Sequence, residues 1–404
     1  MSIKKIGILT SGGDCGGLNG ALRGAALSAA AQGLELYLIP NGYAGLYNLV
    51  DFNELVLFNS RKVDEDIPVY MAGSEAGNSR VKISKIKDEN KYERIKQGLK
   101  KHQLEALLIA GGDDTGSVVV DLVGRGIPCI HIPKTMDLDL MGYSVGGDSA
   151  INRIAEFLRD LRTTARTHNR VMVMEVFGRY AGHTAFRGGV AGGADAVLIP
   201  EIPVDFDLLY EHVKKLYLER LEASDVKAAC VMVVVAEGLR DSSGKELVDE
   251  TSKADAFGHK KLMGAGKYVV QQLEARLKKD TTIGDFLKKH GTYVEGLNEL
   301  PEVREVRPSH LVRSGHTSAY DANFGMEAGA AALNLATQGI FGVTVISCRD
   351  GVVEYMDVKE AIVQRHVEPA SVAIFESMGI CFGRVAKQEP LKVEKVSGRP
   401  VRPY

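Results

Sequence analysis

LEALLIAGGDDTGSVVVDLVGRGIPCIHIPKTMDLDL, residues 104–140, carries the reading that decides the fold. The run LEALLIA has the length and apolarity of a buried strand, and it enters the glycine turn GGDDTGS. A helical stretch near Val118 to Arg125 follows, with Gly126 as its stop, and a second apolar run, IPCIHIP, ends at Pro133. Strand, crossover helix and strand at this spacing predict a parallel pair. In such pairs, ligands bind beyond the carboxyl ends of the strands, which directs attention to GGDD and to the loop PKTMDLDL.

The same alternation extends both ways. Towards the start, KIGILT (Lys5 to Thr10) meets a glycine-rich turn, an alanine-rich helix to Ala31 and the run LELYLIP from Leu34. Towards the end, a helix from about Ser149 to Arg166 leads into the strand VMVMEVF, a turn at Gly178 and a small-residue helix before ADAVLIPE. The amphipathic stretch Asp207 to Leu221 then precedes CVMVVVAEG. Alternating strands and helices, repeated twice, predict an α/β protein of two doubly wound, mostly parallel-sheet domains. The polar stretch at about 239–300, with helix-like pieces such as KYVVQQLEARLKK, reads as an insertion or cap. The tail beyond Val385 reads as a surface segment.

Composition narrows the class. Of 404 residues, 45% are hydrophobic and 25% charged, enough to bury a sizeable core. Fifty Lys and Arg against 52 Asp and Glu give a net charge of −2, without the basic excess of a nucleic-acid or membrane-surface binder. An anionic substrate must then be held by local clusters. Cys15, Cys129, Cys230, Cys348 and Cys381 form no CxxC pair, and a reducing compartment fits them. With no apolar run of membrane-spanning length and no secretory pattern at the start, a cytoplasmic protein is expected. The 44 glycines exceed the usual share of about 7% and are clustered, implying backbone-lined turns.

Three turns carry chemistry. TSGGDCGGLNG stands between a strand and a helix start, where free N–H groups favour an anion. It matches neither the P-loop nor the Rossmann fingerprint, and tight strand–helix packing alone is an alternative reason for its glycines. In GGDD, adjacent carboxylates repel unless a cation shares the site; Mg²⁺ with phosphate oxygens is the natural one, and capping of the next helix is the plainer alternative. Lys134, Asp137 and Asp139 occupy one loop at the same sheet edge, an arrangement suited to phosphoryl transfer, against a plain solvated Lys–Asp pair. Arg80, Arg170, Arg179, Arg304, His310 and Arg313 lie beside glycines or strand ends, and their number suits two phosphates.

Together KIGILTSGGD, GGDD, PKTMDLD, FGRYAGH, PEI, AEG and HLVRSG resemble, in order from Ile6 to about Gly342, the phosphofructokinase family. The resemblance implies transfer of a phosphoryl group, with Mg²⁺, to the 1-hydroxyl of fructose 6-phosphate. It implies that Gly12 and Arg80 contact the donor, that Asp113 holds Mg²⁺, and that Asp137 is the general base with Thr135 and Asp139 beside it. Arg170, Arg304, His310 and Arg313 then match fructose 6-phosphate contacts, the first two reaching across from a neighbouring subunit of a homo-oligomer, either dimer or tetramer. Gly178 and Arg179 match the sugar- and phosphate-contacting loop, and Glu237 a sugar-hydroxyl contact. Arg179 and Lys134 also join Asp137 as catalytic candidates by holding developing charge. The donor half is expected at 1–148 plus about 312–357, and the sugar-phosphate half at about 149–311 plus 358–404.

Asp114 and Lys134 stand where the ATP-using branch has glycine, and both resemble the pyrophosphate-using branch. A carboxylate at 114 would intrude on a nucleotide's α-phosphate, and an ammonium at 134 would neutralise compact pyrophosphate. The expectation is therefore reversible, pyrophosphate-dependent phosphorylation of fructose 6-phosphate. ATP-dependent phosphorylation and a non-catalytic sugar-phosphate-binding subunit are the alternatives. Leu138 replaces the asparagine of the family's TIDND loop, with little effect expected. Phe177 replaces methionine and leaves sedoheptulose 7-phosphate open as a substrate. Gly16 replaces proline in the first loop. Arg23 lacks its arginine partner, with Leu27 in its place, so nucleotide regulation is expected to be absent.

Overall fold

The computed structural model describes residues 3–58, 67–241, 243–247, 262, 264–386, 390–395 and 397–398. The apolar runs form strands β1 (Lys5–Thr10), β2 (Glu35–Leu38), β3 (Val56–Phe58), β4 (Ala106–Gly111), β5 (Cys129–Pro133), β6 (Val171–Val176), β7 (Ala196–Leu198), β8 (Val231–Ala236), β9 (Val303–Val306), β10 (Val343–Arg349) and β11 (Val352–Asp357). Seven make one sheet in the order β11-β10-β5-β4-β1-β2-β3, and four make a second in the order β7-β8-β6-β9. Pairing is parallel except at the two edges of the larger sheet, where β3 and β11 run antiparallel.

Between the strands lie helices α1 (Leu18–Ala31), α2 (Gly42–Tyr47), α3 (Lys91–Lys101), α4 (Asp113–Gly124), α5 (Gly147–Thr167), α6 (His183–Ala191), α7 (Phe206–Ala223), α8 (Ala265–Leu277), α9 (Thr282–Lys289) and α10 (Ala319–Thr337). Because successive strand residues point to opposite faces, each sheet feeds two apolar layers. Ile8, Leu108 and Ile130 share one continuous core with Leu158, Phe324, Met174 and Val234, joining the facing sides of both sheets. The opposite faces are closed separately, by Leu107 and Ile109 against Leu99 and Leu122, and by Val173 and Val233 against Leu209 and Leu273.

One sequence expectation changes. The helix after GGDD begins at Asp113 rather than near Val118, because unpaired N–H groups and the positive end of the helix dipole favour carboxylates in a first turn. Of the stretch 239–300, helices α8 and α9 cover the outer face of the smaller sheet through Val269, Leu273, Ile283 and Leu287; most of 248–263 lies outside the described residues. Among the described residues, no helix is long and apolar enough to cross a membrane.

Candidate active site

In the larger sheet, the chain leaves β1 towards β2 on one side and returns as β4 on the other. The β1 and β4 turns therefore diverge and open a crevice at their carboxyl ends. That crevice is one wall of a cavity of about 650 Å³, and the carboxyl ends of β6, β8 and β9 form the facing wall.

On the first wall, Gly12 and Gly13 stand beside three cations. Lys134 is buried and donates from Nζ to the Gly13 carbonyl. A Cβ placed on Gly13 would lie 2.8 Å from Arg313 Nη1, so the absence of a side chain lets that guanidinium approach the loop, and Arg80 Nη2 lies at ordinary contact distance, 3.9 Å from the same point. Arg313 also pairs with Asp14 at 3.5 Å. Burial pulls the Lys134 pKa down, so the fold holds this ammonium at a cost that an incoming anion would relieve. A smaller hollow of about 370 Å³ continues past Arg80 and Arg313 to Ser74 and Asn78.

The catalytic candidates sit on the loop after β5. The Asp137 N–H donates to Thr135 Oγ1 at 3.1 Å, and Ser144 Oγ donates to the Thr135 carbonyl at 2.7 Å. Burial raises the Asp137 carboxyl, opposed by Arg179 and reinforced by Asp113. Burial, then Asp137 and Asp113, push Asp139 up to about 8. Three carboxylates share one side of the cavity, and the charge of Asp113 disfavours ionisation of Asp137 and Asp139.

On the facing wall, Glu237 accepts from the Arg179 N–H at 2.9 Å and the Gly178 N–H at 3.3 Å. These bonds hold Arg179 in a left-handed conformation, φ 44°. Burial pushes Glu237 up to about 7. His310 meets the edge of Phe177 at 5.4 Å, and Arg313 lies 5.9 Å over the same ring. Phe177 therefore links the two walls, a contact that its replacement of methionine makes aromatic.

A model of the family described as Phosphofructokinase matches residues 5–336. The chain belongs to the phosphofructokinase family. A pyrophosphate–fructose 6-phosphate 1-phosphotransferase from Dictyoglomus thermophilum is 33% identical over 386 residues, spanning 95% of this chain and 100% of the relative. An ATP-dependent 6-phosphofructokinase from Chloroflexus aggregans is 32% identical over 386 residues, 94% and 98% of the two chains. The fold matches the crystal structure of a pyrophosphate-dependent phosphofructokinase from Marinobacter aquaeolei with a TM-score of 0.68 at 20% identity, covering 98% of this chain and 99% of that one. Relatives named for either donor are about equally similar, so the choice of donor falls to the site itself.

Within this phosphofructokinase, Gly12, Arg80, Asp113, Asp114, Lys134, Thr135, Asp137, Asp139, Arg179, Glu237, His310 and Arg313 all line the cavity. Gly178 shapes its rim through the Glu237 bond. Arg170 and Arg304 do not line it; both pair with Glu302, Arg170 at 2.6 Å. Sequence reading missed Arg307 and Glu175. Arg307 follows β9 directly and lies 3.3 Å from Glu175 and 2.7 Å from Glu305. The signal for Glu175 was a single carboxylate inside the apolar run VMVMEV. Also missed was Asp321, fully buried, which accepts from Tyr143, from both the N–H and the hydroxyl of Ser149, and from the Gly146 N–H. It thereby fixes the start of α5 behind the loop that carries Asp137.

Proposed function

We propose that this phosphofructokinase transfers a phosphoryl group reversibly from pyrophosphate to O1 of fructose 6-phosphate. The observation that carries the reading is the buried Lys134 ammonium on the Gly12–Gly13 loop, with Asp114 in the first turn of α4 on the same cavity wall. Pyrophosphate is compact and highly charged, and suits a site where Lys134 and Arg80 converge on a glycine loop, with Arg313, read from the resemblance as a fructose 6-phosphate contact, beside Gly13. A nucleotide would have to pass the Asp114 carboxylate. Asp137 is the base that accepts the O1 proton, and Arg179, on the opposite wall, stabilises charge on the transferring group.

The residues fit Mg²⁺. Among the described residues, no group of three or more metal-ligating side chains could hold an ion by itself, which accords with an ion bound through one or two carboxylates plus substrate phosphates. Asp113 would supply the carboxylate, and the mutual repulsion of Asp113, Asp137 and Asp139 supports a cation there. Mg²⁺ would neutralise phosphate charge when bound. Arg170 and Arg304, away from the cavity of their own chain, are read as fructose 6-phosphate contacts for a neighbouring subunit.

The smaller hollow beyond Arg80 favours a second reading, ATP as donor, because it offers room past the phosphate loop. The pair Asp114→Gly with Lys134→Gly separates the two. Pyrophosphate turnover falling by at least tenfold while ATP turnover rises is the expected result. Pyrophosphate turnover unchanged in the double variant would overturn the donor reading.

A further inference from the structure

Residue 365 lies beyond the part of the chain that the family model matches, in a segment that the sequence reading placed in the sugar-phosphate half without naming any site residue there. It nevertheless touches both walls of the active site. Its guanidinium Nη2 donates to the Leu138 carbonyl at 2.7 Å, and its own N–H donates to the Asp139 carbonyl at 2.7 Å. Its carbonyl meets His183 Nε2 at 3.1 Å. A carbonyl only accepts, so His183 is the donor and carries its proton on Nε2. His183 opens α6, five residues after Gly178 and four after Arg179.

The neighbouring residues repeat the bridge. Glu201 Oε1 accepts from the Val367 N–H and from the Gly182 N–H, each at 2.9 Å. The Met141 N–H donates to the Ala361 carbonyl at 3.0 Å. Residues 361–367 therefore tie the end of the Asp137 loop to the end of the Arg179 loop by several independent bonds.

Leu138 shows why such a tie is needed. It has φ 58°, a left-handed conformation that costs a branched residue about 1 kcal/mol or more. Its side chain is buried against Gly147, where a Cβ would stand 2.2 Å from Leu138 Cδ2. Asparagine tolerates this backbone by local hydrogen bonding; leucine does not. In this chain the conformation rests on packing at Gly147 and on the bond from Arg365, and the carboxylates of Asp137 and Asp139 flank it.

We propose that Arg365 is a positioning residue that holds the Asp137 and Arg179 loops in register across the cavity. It has no contact with the reacting atoms; its side chain acts through the Leu138 carbonyl, and its backbone carries the bonds to Asp139 and His183. Misplacing a base by an ångström costs up to about 100-fold in rate, so the expected loss is in turnover rather than in substrate affinity. The inference rests on the reading of Asp137 as base and Arg179 as its counterpart.

The test pairs kinetics with hydrogen exchange on the full-length protein. Arg365→Met is expected to lower kcat about tenfold or more with the fructose 6-phosphate KM changed less than about threefold. Amides of 136–143 should exchange faster, while those of 178–186, tied through bonds that the variant keeps, and those of β1 and β6 keep their rates. Arg365→Lys, which retains a donor and a charge, should recover part of both effects. Unchanged exchange in 136–143, or a KM rise that accounts for all the lost activity, would overturn the proposal. Asp137→Asn tests the underlying reading separately: full turnover in that variant would refute the base without altering the exchange result for Arg365→Met.

Discussion

Asp137 and Asp139 face each other and Asp113 inside a buried cavity, so both carboxyls hold their protons at higher pH than a free aspartate. A base works only when ionised. The acidic limb of kcat/KM is therefore expected above the ordinary aspartate value of about 4, with activity lost as pH falls through the raised value. Asp139 is pushed up to about 8 and carries no charge as that limb is crossed, so Asp139→Asn should leave the limb nearly in place; a limb moved far to lower pH would contradict this ordering. Asp137→Asn should lower kcat by about 10²–10⁴-fold and leave the fructose 6-phosphate KM within a few-fold. Parallel loss of binding would remove Asp137 from the role of base. Lys134, Asp137 and Asp139 were legible because they follow an unmistakable strand, where parallel sheets present their ligands. Arg307 was not, because VREV is only four residues long and half charged, and nothing in it announces a strand whose end would matter.

At the scale of elements, the glycine turns depend on how closely their helices can pack. Helix α1, which starts at the donor loop, crosses α10 with almost no side chain between them. A Cβ on Gly24 would lie 2.0 Å from the Met326 carbonyl oxygen, and one on Gly329 would lie 2.0 Å from that of Ala21. Neither carbonyl can move without breaking its helix. Gly329→Ala is accordingly expected to cost about 1–3 kcal/mol or more, measured by urea unfolding, and an unchanged midpoint would contradict this packing. The interior strands β1, β4, β5, β6 and β8 could be read as uninterrupted apolar runs. The edge strands β3 and β11 could not, since one face of each meets water and the pattern dissolves. The start of α4 was missed because Gly, Asp and Thr are poor helix formers, although the helix dipole reverses that judgement for aspartate at a first turn.

For the whole molecule, stability and assembly are both testable. His131 is fully buried in β5, between Thr344 Oγ1 and the Gly111 carbonyl, each at 2.8 Å. Burial pulls its pKa down to about 4. The unfolded chain takes up the proton at about pH 6.5 while the folded chain resists until about pH 4, so this contribution to stability is present above pH 6.5 and is lost as pH falls towards 4. The loss amounts to about 3 kcal/mol. Urea midpoints measured from pH 7 to 4 should fall, and His131→Gln should flatten the slope. Arg170 and Arg304, placed outside their own cavity, predict complementation: Arg170→Ala and Asp137→Asn, each nearly inactive alone, should recover measurable turnover when their subunits are mixed and reassembled. The two-sheet plan could be anticipated from alternation alone, whereas which arginines serve which cavity depends on assembly and leaves no mark on spacing.

The central claim is the donor. Formation of fructose 1,6-bisphosphate from fructose 6-phosphate and Mg²⁺, followed with pyrophosphate or ATP at matched concentrations, tests it most directly. Turnover with pyrophosphate at least about 100-fold above that with ATP, and running in both directions, is the predicted result; turnover with ATP alone would contradict the reading of Lys134 and Asp114.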